Sequence, residues 1–271
     1  MSTKLLREPC KECFKSLPKR ELRKNIEDEA KELSDRYSWV GADTVLRNIR
    51  AATTCGQAFD HLAILRVAKI LTTTAPSSAK PVLEKFCREC NRPHDINWIL
   101  ASDSKVIIEV VRLRKSTRQG DRLEDPYTES VCRHGRFRPS RMMLTLEDNV
   151  LNLGMKMVFE RIRNKTQQLH SNWLNIIWFV SRNFLTRGSQ MKDAVVGLLT
   201  GDCDLPNDLV GVGWSFDGPA GSHNFAPFCI LLSSQPLLAR YLKTLGVFVK
   251  SYHPRHGPRP MSHVPTLDAV I

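Results

Sequence analysis

The chain predicts an α+β fold in which a three-helix amino-terminal module precedes an antiparallel sheet packed on a helix. Three observations carry this. Apolar residues recur at helical spacing up to Leu71, they recur at strand spacing from residue 105 onward, and a run rich in Thr, Ser and Pro (72–81) separates the two patterns. The organisation expected is a helical module over residues 1–75, a linker over 76–103, an α+β module over 104–216 and a partly disordered tail over 217–271.

The first helix follows Pro18, with Leu22, Ile26, Ala30 and Leu33 three or four residues apart in an otherwise charged segment. The second begins near Asp43. Val45, Ile49 and Ala52 form its apolar stripe, while Arg47 and Arg50 lie on a different face, so one helix has a dry side and a cationic side. After Gly56 a third helix carries Phe59, Leu62, Leu65, Val67, Ile70 and Leu71 nearly all round its axis. Such a helix needs cover on every side, and pairing with a second copy of the chain is the expected source.

Beyond the linker, KVIIEVVRLR (105–114) has the β-branched content of a strand, and MMLTL (142–146) reads the same way. Residues 151–159 alternate apolar and polar, with the odd-numbered side chains expected on the core face. WLNIIWFV (173–180) is a continuous apolar run of strand length, and residues 190–199 return to helical spacing through Met191, Ala194, Val195 and Leu198. Residues 236–249 can form an amphipathic helix on Leu238, Leu242, Leu245 and Val249; the Pro-, Gly- and His-rich residues after it are expected to stay unpacked.

With 42% hydrophobic residues in 271, the chain has enough apolar side chain for a core. Its net charge of +12 points to an anionic partner, nucleic acid or an acidic membrane surface. No apolar run is long enough to span a bilayer, and the first residues carry charges where a signal peptide needs an apolar core, so insertion into a membrane and secretion are not expected.

Cys10 and Cys13 form one C-x-x-C; Cys87 and Cys90 form another, with His94 four residues on. Thiolates at that spacing can face one tetrahedral ion, so a zinc site shared by the two pairs stands beside ordinary free thiols as a reading. No phosphate-cradling Gly loop, H-E-x-x-H or G-x-S-x-G is present, and no enzymatic activity or other cofactor is expected. Arg133, Arg136, Arg138 and Arg141 make the densest basic patch, open to three readings: a phosphate clamp, a nuclear import signal or a solvated loop.

The order of these parts resembles the non-structural protein 1 family of influenza viruses, nearer in places to the influenza B form. KECFKSLPKREL (11–22) is similar to the start of that family's first helix, DTVLRNIR (43–50) to its RNA-contacting segment and AILRVAKIL (63–71) to its third helix. EKFCRECNRPHDINW (84–98) has the paired cysteines and closing Asn-Trp of the influenza B segment; 137–162 and DAVVGLL (193–199) are similar to effector-domain elements. The resemblance runs over roughly residues 10 to 216 in short matches. It implies a homodimeric protein that binds double-stranded RNA through Arg47 and Arg50, with Arg36 and Arg66 on the neighbouring helices. It also implies docking of host innate-immunity proteins on the second module, antagonism of the interferon response, and residence in host nucleus and cytoplasm. The contrasting expectation is a virion structural or matrix-like protein that uses its charge on genome or membrane.

Overall fold

The computed structural model describes residues 19–53, 55–72, 80–100, 105–113, 158, 161–165, 168–170, 172–181, 208–216 and 226–251. Helices α1 (Lys19–Tyr37), α2 (Ala42–Ala51) and α3 (Cys55–Thr72) come first. A seven-stranded sheet follows, its strands lying side by side in chain order: β1 (Pro81–Cys87), β2 (Arg92–Ile99), β3 (Lys105–Leu113), β4 (Leu174–Ser181), β5 (Leu209–Phe216), β6 (Phe228–Leu231) and β7 (Phe248–Ser251). Helix α4 (Pro236–Thr244) connects the last two strands.

The α+β class and the three leading helices match the sequence expectation; the antiparallel sheet does not. β1–β2, β2–β3 and β5–β6 pair antiparallel, but β3–β4, β4–β5 and β6–β7 are parallel. The physical reason lies in the central strands. VIIE (106–109), NIIWFV (175–180) and VGVGW (210–214) are buried on successive residues, as strands covered on both faces must be, and such strands are reached by long crossovers rather than hairpins.

Two further expectations are corrected. Residues 81–99, read as linker, form the β1–β2 hairpin, and part of the segment read as tail supplies β6, α4 and β7. In α4, Leu238 and Leu242 are buried as their spacing predicts, whereas Val249 belongs to β7. The strand expected over 151–159 lies outside the described residues apart from Val158, which is helical and packs with Ile162 on the sheet. The strand at 142–146 and the helix at 190–199 also lie outside them.

Helices and sheet share one core. Ile26, Ala30 and Leu33 of α1, Val45 and Ile49 of α2, and most of α3 join Leu83, Ile96, Trp98, Ile108, Ile176 and Trp178 from the sheet in a single buried cluster. The all-round apolar surface of α3 is thus covered by α1, α2 and strands β1 to β4 of its own chain, so that surface does not require a second copy. Gly41 sets the junction. Its φ of 88° starts α2, and the N–H of Leu83 donates to the Val40 carbonyl at 2.8 Å, so the helix entry lies directly on the β1 backbone. Arg112 of β3 ties the other end: it pairs with Asp60 at 2.9 Å, donates to the Gly56 carbonyl at 3.1 Å and lies over the Phe59 ring.

The opposite sheet face carries a second cluster, including Val111, Leu113, Ile177, Phe179 and Trp214, with Val158 and Ile162 against it. Among the described residues no helix is long and apolar enough to cross a membrane. Cys229 of β6 is fully buried, and that burial pushes its thiol up to about 12. Alkylation of the native protein by iodoacetamide at pH 8 is expected to spare Cys229 and label it only on unfolding, which peptide mass mapping checks.

Candidate nucleic-acid interface and the cysteine–histidine cluster

Two regions carry residues beyond what packing needs. The first is the outer face of α2. Ala42, Val45 and Ile49 face the core, which leaves Arg47 and Arg50 exposed. The helix that holds them is braced at both ends. Gly41 anchors its start, and the Arg23 guanidinium of α1 donates to the carbonyls of Ile49, Arg50 (2.8 Å) and Ala52 (2.9 Å) at its end. Carbonyls at a helix end are short of intrahelical donors, that of Ile49 receiving only a long bond from the Ala52 N–H at 3.4 Å, and Arg23 supplies charged ones.

The four cations expected to meet RNA separate into two kinds. Arg47 makes one hydrogen bond, to the Thr44 hydroxyl at 3.3 Å, and neither Arg47 nor Arg50 is in an ion pair among the described residues. Arg36 is exposed and stacks over Tyr37, which in turn stacks on Trp39. Arg66 is corrected: its guanidinium forms a two-pronged pair with Glu29 of α1, at 2.7 and 2.8 Å, and is mostly buried by it. A guanidinium fixed on a carboxylate in that geometry has its charge already answered and belongs to the α1–α3 contact. Arg133, Arg136, Arg138 and Arg141 lie outside the described residues.

The second region lies where the β1–β2 hairpin meets the segment ahead of β4. Cys87 ends β1 and Cys90 sits in the turn, where Asn91 takes a φ of 51° to reverse the chain. Both are free thiols. Burial pushes the Cys87 thiol up, but hydrogen bonds from the Cys90 backbone and thiol outweigh it and hold Cys87 below its ordinary value. Burial, then the bond and charge shared with Cys87, push Cys90 up. One thiolate therefore forms ahead of the other. Nε2 of His94 lies 3.0 Å from Cys90 Sγ, and Nδ1 of the same ring lies 2.7 Å from Glu109 of β3, whose other oxygen accepts from Lys165 at 3.0 Å. His94 is fully buried and Glu109 nearly so.

His170 completes the group. One of its ring nitrogens and the two sulfurs of Cys87 and Cys90 all lie within 4.8 Å of one another. Asn175 of β4 holds it there. The Asn175 amide nitrogen donates to the carbonyls of His170 (2.8 Å), Trp173 (2.7 Å) and Asp208 (3.2 Å), while its oxygen accepts from the His170 N–H at 2.9 Å. The His170 ring stacks on Trp173, its Nδ1 accepts from the Asn172 N–H at 3.1 Å, and its Nε2 lies 3.0 Å from a Glu89 oxygen.

The structure thus joins Cys87 and Cys90 to His94 and His170, and the other expected pair, Cys10 and Cys13, lies outside the described residues. His170 had no signal in the sequence, because its neighbours across the cluster are more than 70 residues away. Glu109 had one: a lone carboxylate inside KVIIEVVRL has to be paired if the strand is buried. Compared with protein-family models, with curated proteins and with solved structures, the chain matches none.

Proposed function

We propose that this chain binds double-stranded RNA through its phosphate backbone, without reading bases, on the exposed face of α2. The observation that carries the proposal is the contrast among the helix-module arginines: Arg23 and Arg66 are engaged inside the chain, while Arg47 and Arg50 project from a braced helix with no carboxylate answering them among the described residues. Cations held on a rigid element match an A-form duplex by shape, and phosphates and 2′-hydroxyls are all that such a contact requires. The net charge of +12 supports an anionic partner of this kind. Binding of this sort needs no catalytic group. Masking RNA and docking host proteins, as an antagonist of the innate response in host nucleus and cytoplasm, is the role we attach to it on the resemblance to the influenza non-structural protein 1 family.

Salt dependence tests it. Each neutralised phosphate adds about 0.9 to the slope of log affinity against log salt on B-form duplexes, and we apply the same coefficient to RNA. Arg47→Ala with Arg50→Ala is expected to lower the slope by about 2 units per chain and to weaken duplexes of every sequence alike, with the circular dichroism spectrum unchanged. An unaltered affinity and slope would remove α2 as the interface. Preferential binding to anionic vesicles over duplex RNA would support the matrix-like function instead.

A further inference from the structure

We propose that Cys87, Cys90, His94 and His170 together hold one zinc ion, a closed structural site that clamps the β1–β2 hairpin to the segment ahead of β4. The inference is independent of RNA binding and concerns different residues.

The donor set comes first. Two thiolates and two imidazoles are a common set for structural zinc, and their softness selects against magnesium and calcium, which take oxygen donors. With metal–ligand bonds of about 2.0 to 2.3 Å, neighbouring donors on a tetrahedral ion stand about 3.3 to 3.8 Å apart. Cys87, Cys90 and His170 already lie within 4.8 Å of one another, and His94 Nε2 is 3.0 Å from Cys90 Sγ. Three donors are thus nearly at tetrahedral separation, and His94, beside Cys90 with its ring centre 6.1 Å from that of His170, is the fourth, brought in by a shift of its ring toward the other three.

Spacing and backbone agree with that. The thiols have two residues between them in a tight turn, and the positive φ of Asn91 reverses the chain so that His94 comes back beside Cys90. The histidines are oriented as ligands are. A zinc-bound imidazole commonly donates its other ring N–H to a carboxylate, which fixes ring and tautomer. His94 meets this with Nδ1 on Glu109 at 2.7 Å, and Glu109 is itself held by Lys165. His170 has Glu89 3.0 Å from its Nε2, yet that nitrogen makes no aligned hydrogen bond, although it is buried. Coordination through Nδ1 would exchange the Asn172 bond for the ion and leave Nε2–H for Glu89.

With four protein donors the site has no open position for water or substrate, so its role is to cross-link. The link is between segments far apart in the chain, and closing so long a loop in advance favours the folded state through the entropy of the unfolded one.

Metal analysis of the full-length protein, purified without added metal or chelator, tests this. We expect one zinc per chain, released by a mercurial that modifies thiols, and a lower melting temperature after chelation. Replacement with Co2+ is expected to give the intense visible bands of tetrahedral thiolate coordination. Cys90→Ser and His170→Ala should lose the metal, whereas Cys10→Ser with Cys13→Ser should keep it. Because the losses could reflect misfolding, His170→Cys serves as the second probe: it should retain the ion and shift the Co2+ charge-transfer bands as a third thiolate enters. Metal-free protein with a reversible Cys87–Cys90 disulfide would overturn the proposal, as would a Co2+ spectrum indifferent to His170→Cys or a metal lost only with Cys10 and Cys13.

Discussion

Gly41→Ala is expected to cost about 3 to 5 kcal/mol and to leave little folded protein at 37 °C. Two penalties coincide at this residue. A φ of 88° places an L side chain in the left-handed region, which costs about 1 to 2 kcal/mol. A Cβ there would also lie 1.9 Å from the Leu83 carbonyl oxygen and 2.9 Å from its carbon, and these are backbone atoms of β1 that cannot rotate aside. Relief requires α2 to lift off the sheet, which breaks the bond from Leu83 N–H to Val40 and exposes the core shared by helices and strands. Gly246→Ala separates the two penalties: its φ is 75°, but nothing lies within 4 Å of the added carbon. That variant should lose only about 1 kcal/mol. Urea denaturation measures both, and equal midpoints for the two variants would show that the contact with β1 contributes nothing.

Asn175→Ala should destabilise by about 3 kcal/mol, although the residue contributes no apolar burial. The side chain is fully buried and makes four hydrogen bonds, all to backbone. Truncation leaves the His170 N–H and the carbonyls of His170 and Trp173 to find other partners, while the Asp208 carbonyl keeps the Asn175 backbone N–H at 3.0 Å; an unmet buried polar group costs about 1 to 3 kcal/mol. Asn175→Asp is the informative companion. It keeps the acceptor for the His170 N–H but turns a second oxygen toward three carbonyl oxygens, so it should be no better than alanine, and worse as the carboxylate ionises above pH 4. Thermal melts at pH 4 and pH 7 compare them. Rescue of stability by Asp at pH 7 would mean that the amide's donors are dispensable and that His170 is positioned by other groups.

The elements local in sequence were legible because local periodicity encodes them. Ile26, Ala30 and Leu33 mark the buried side of α1, Val45 and Ile49 that of α2, and Leu238 and Leu242 that of α4, all at the spacing that brings side chains onto one helix face. The strands at 105–113 and 174–181 were legible from β-branched and aromatic content. Arg47 and Arg50 could be placed outward by the same rule, since Val45 and Ile49 define the inward face.

Tertiary structure alone decided the rest, because it depends on which distant segments meet. The uninterrupted apolar run of β4 marks a strand covered on both faces, but only the register with β3 and β5 makes it parallel and central. The apolar circumference of α3 required cover without saying from where, and a sheet of the same chain supplies it as well as a second copy would. Arg66 reads as an exposed helical cation until Glu29, 37 residues earlier, is seen to pair with it. The partners of Cys87 and Cys90 follow the same logic: the hydrophobic effect that assembles the sheet is non-directional, and only the assembled strands carry His94, Glu109 and His170 to one place.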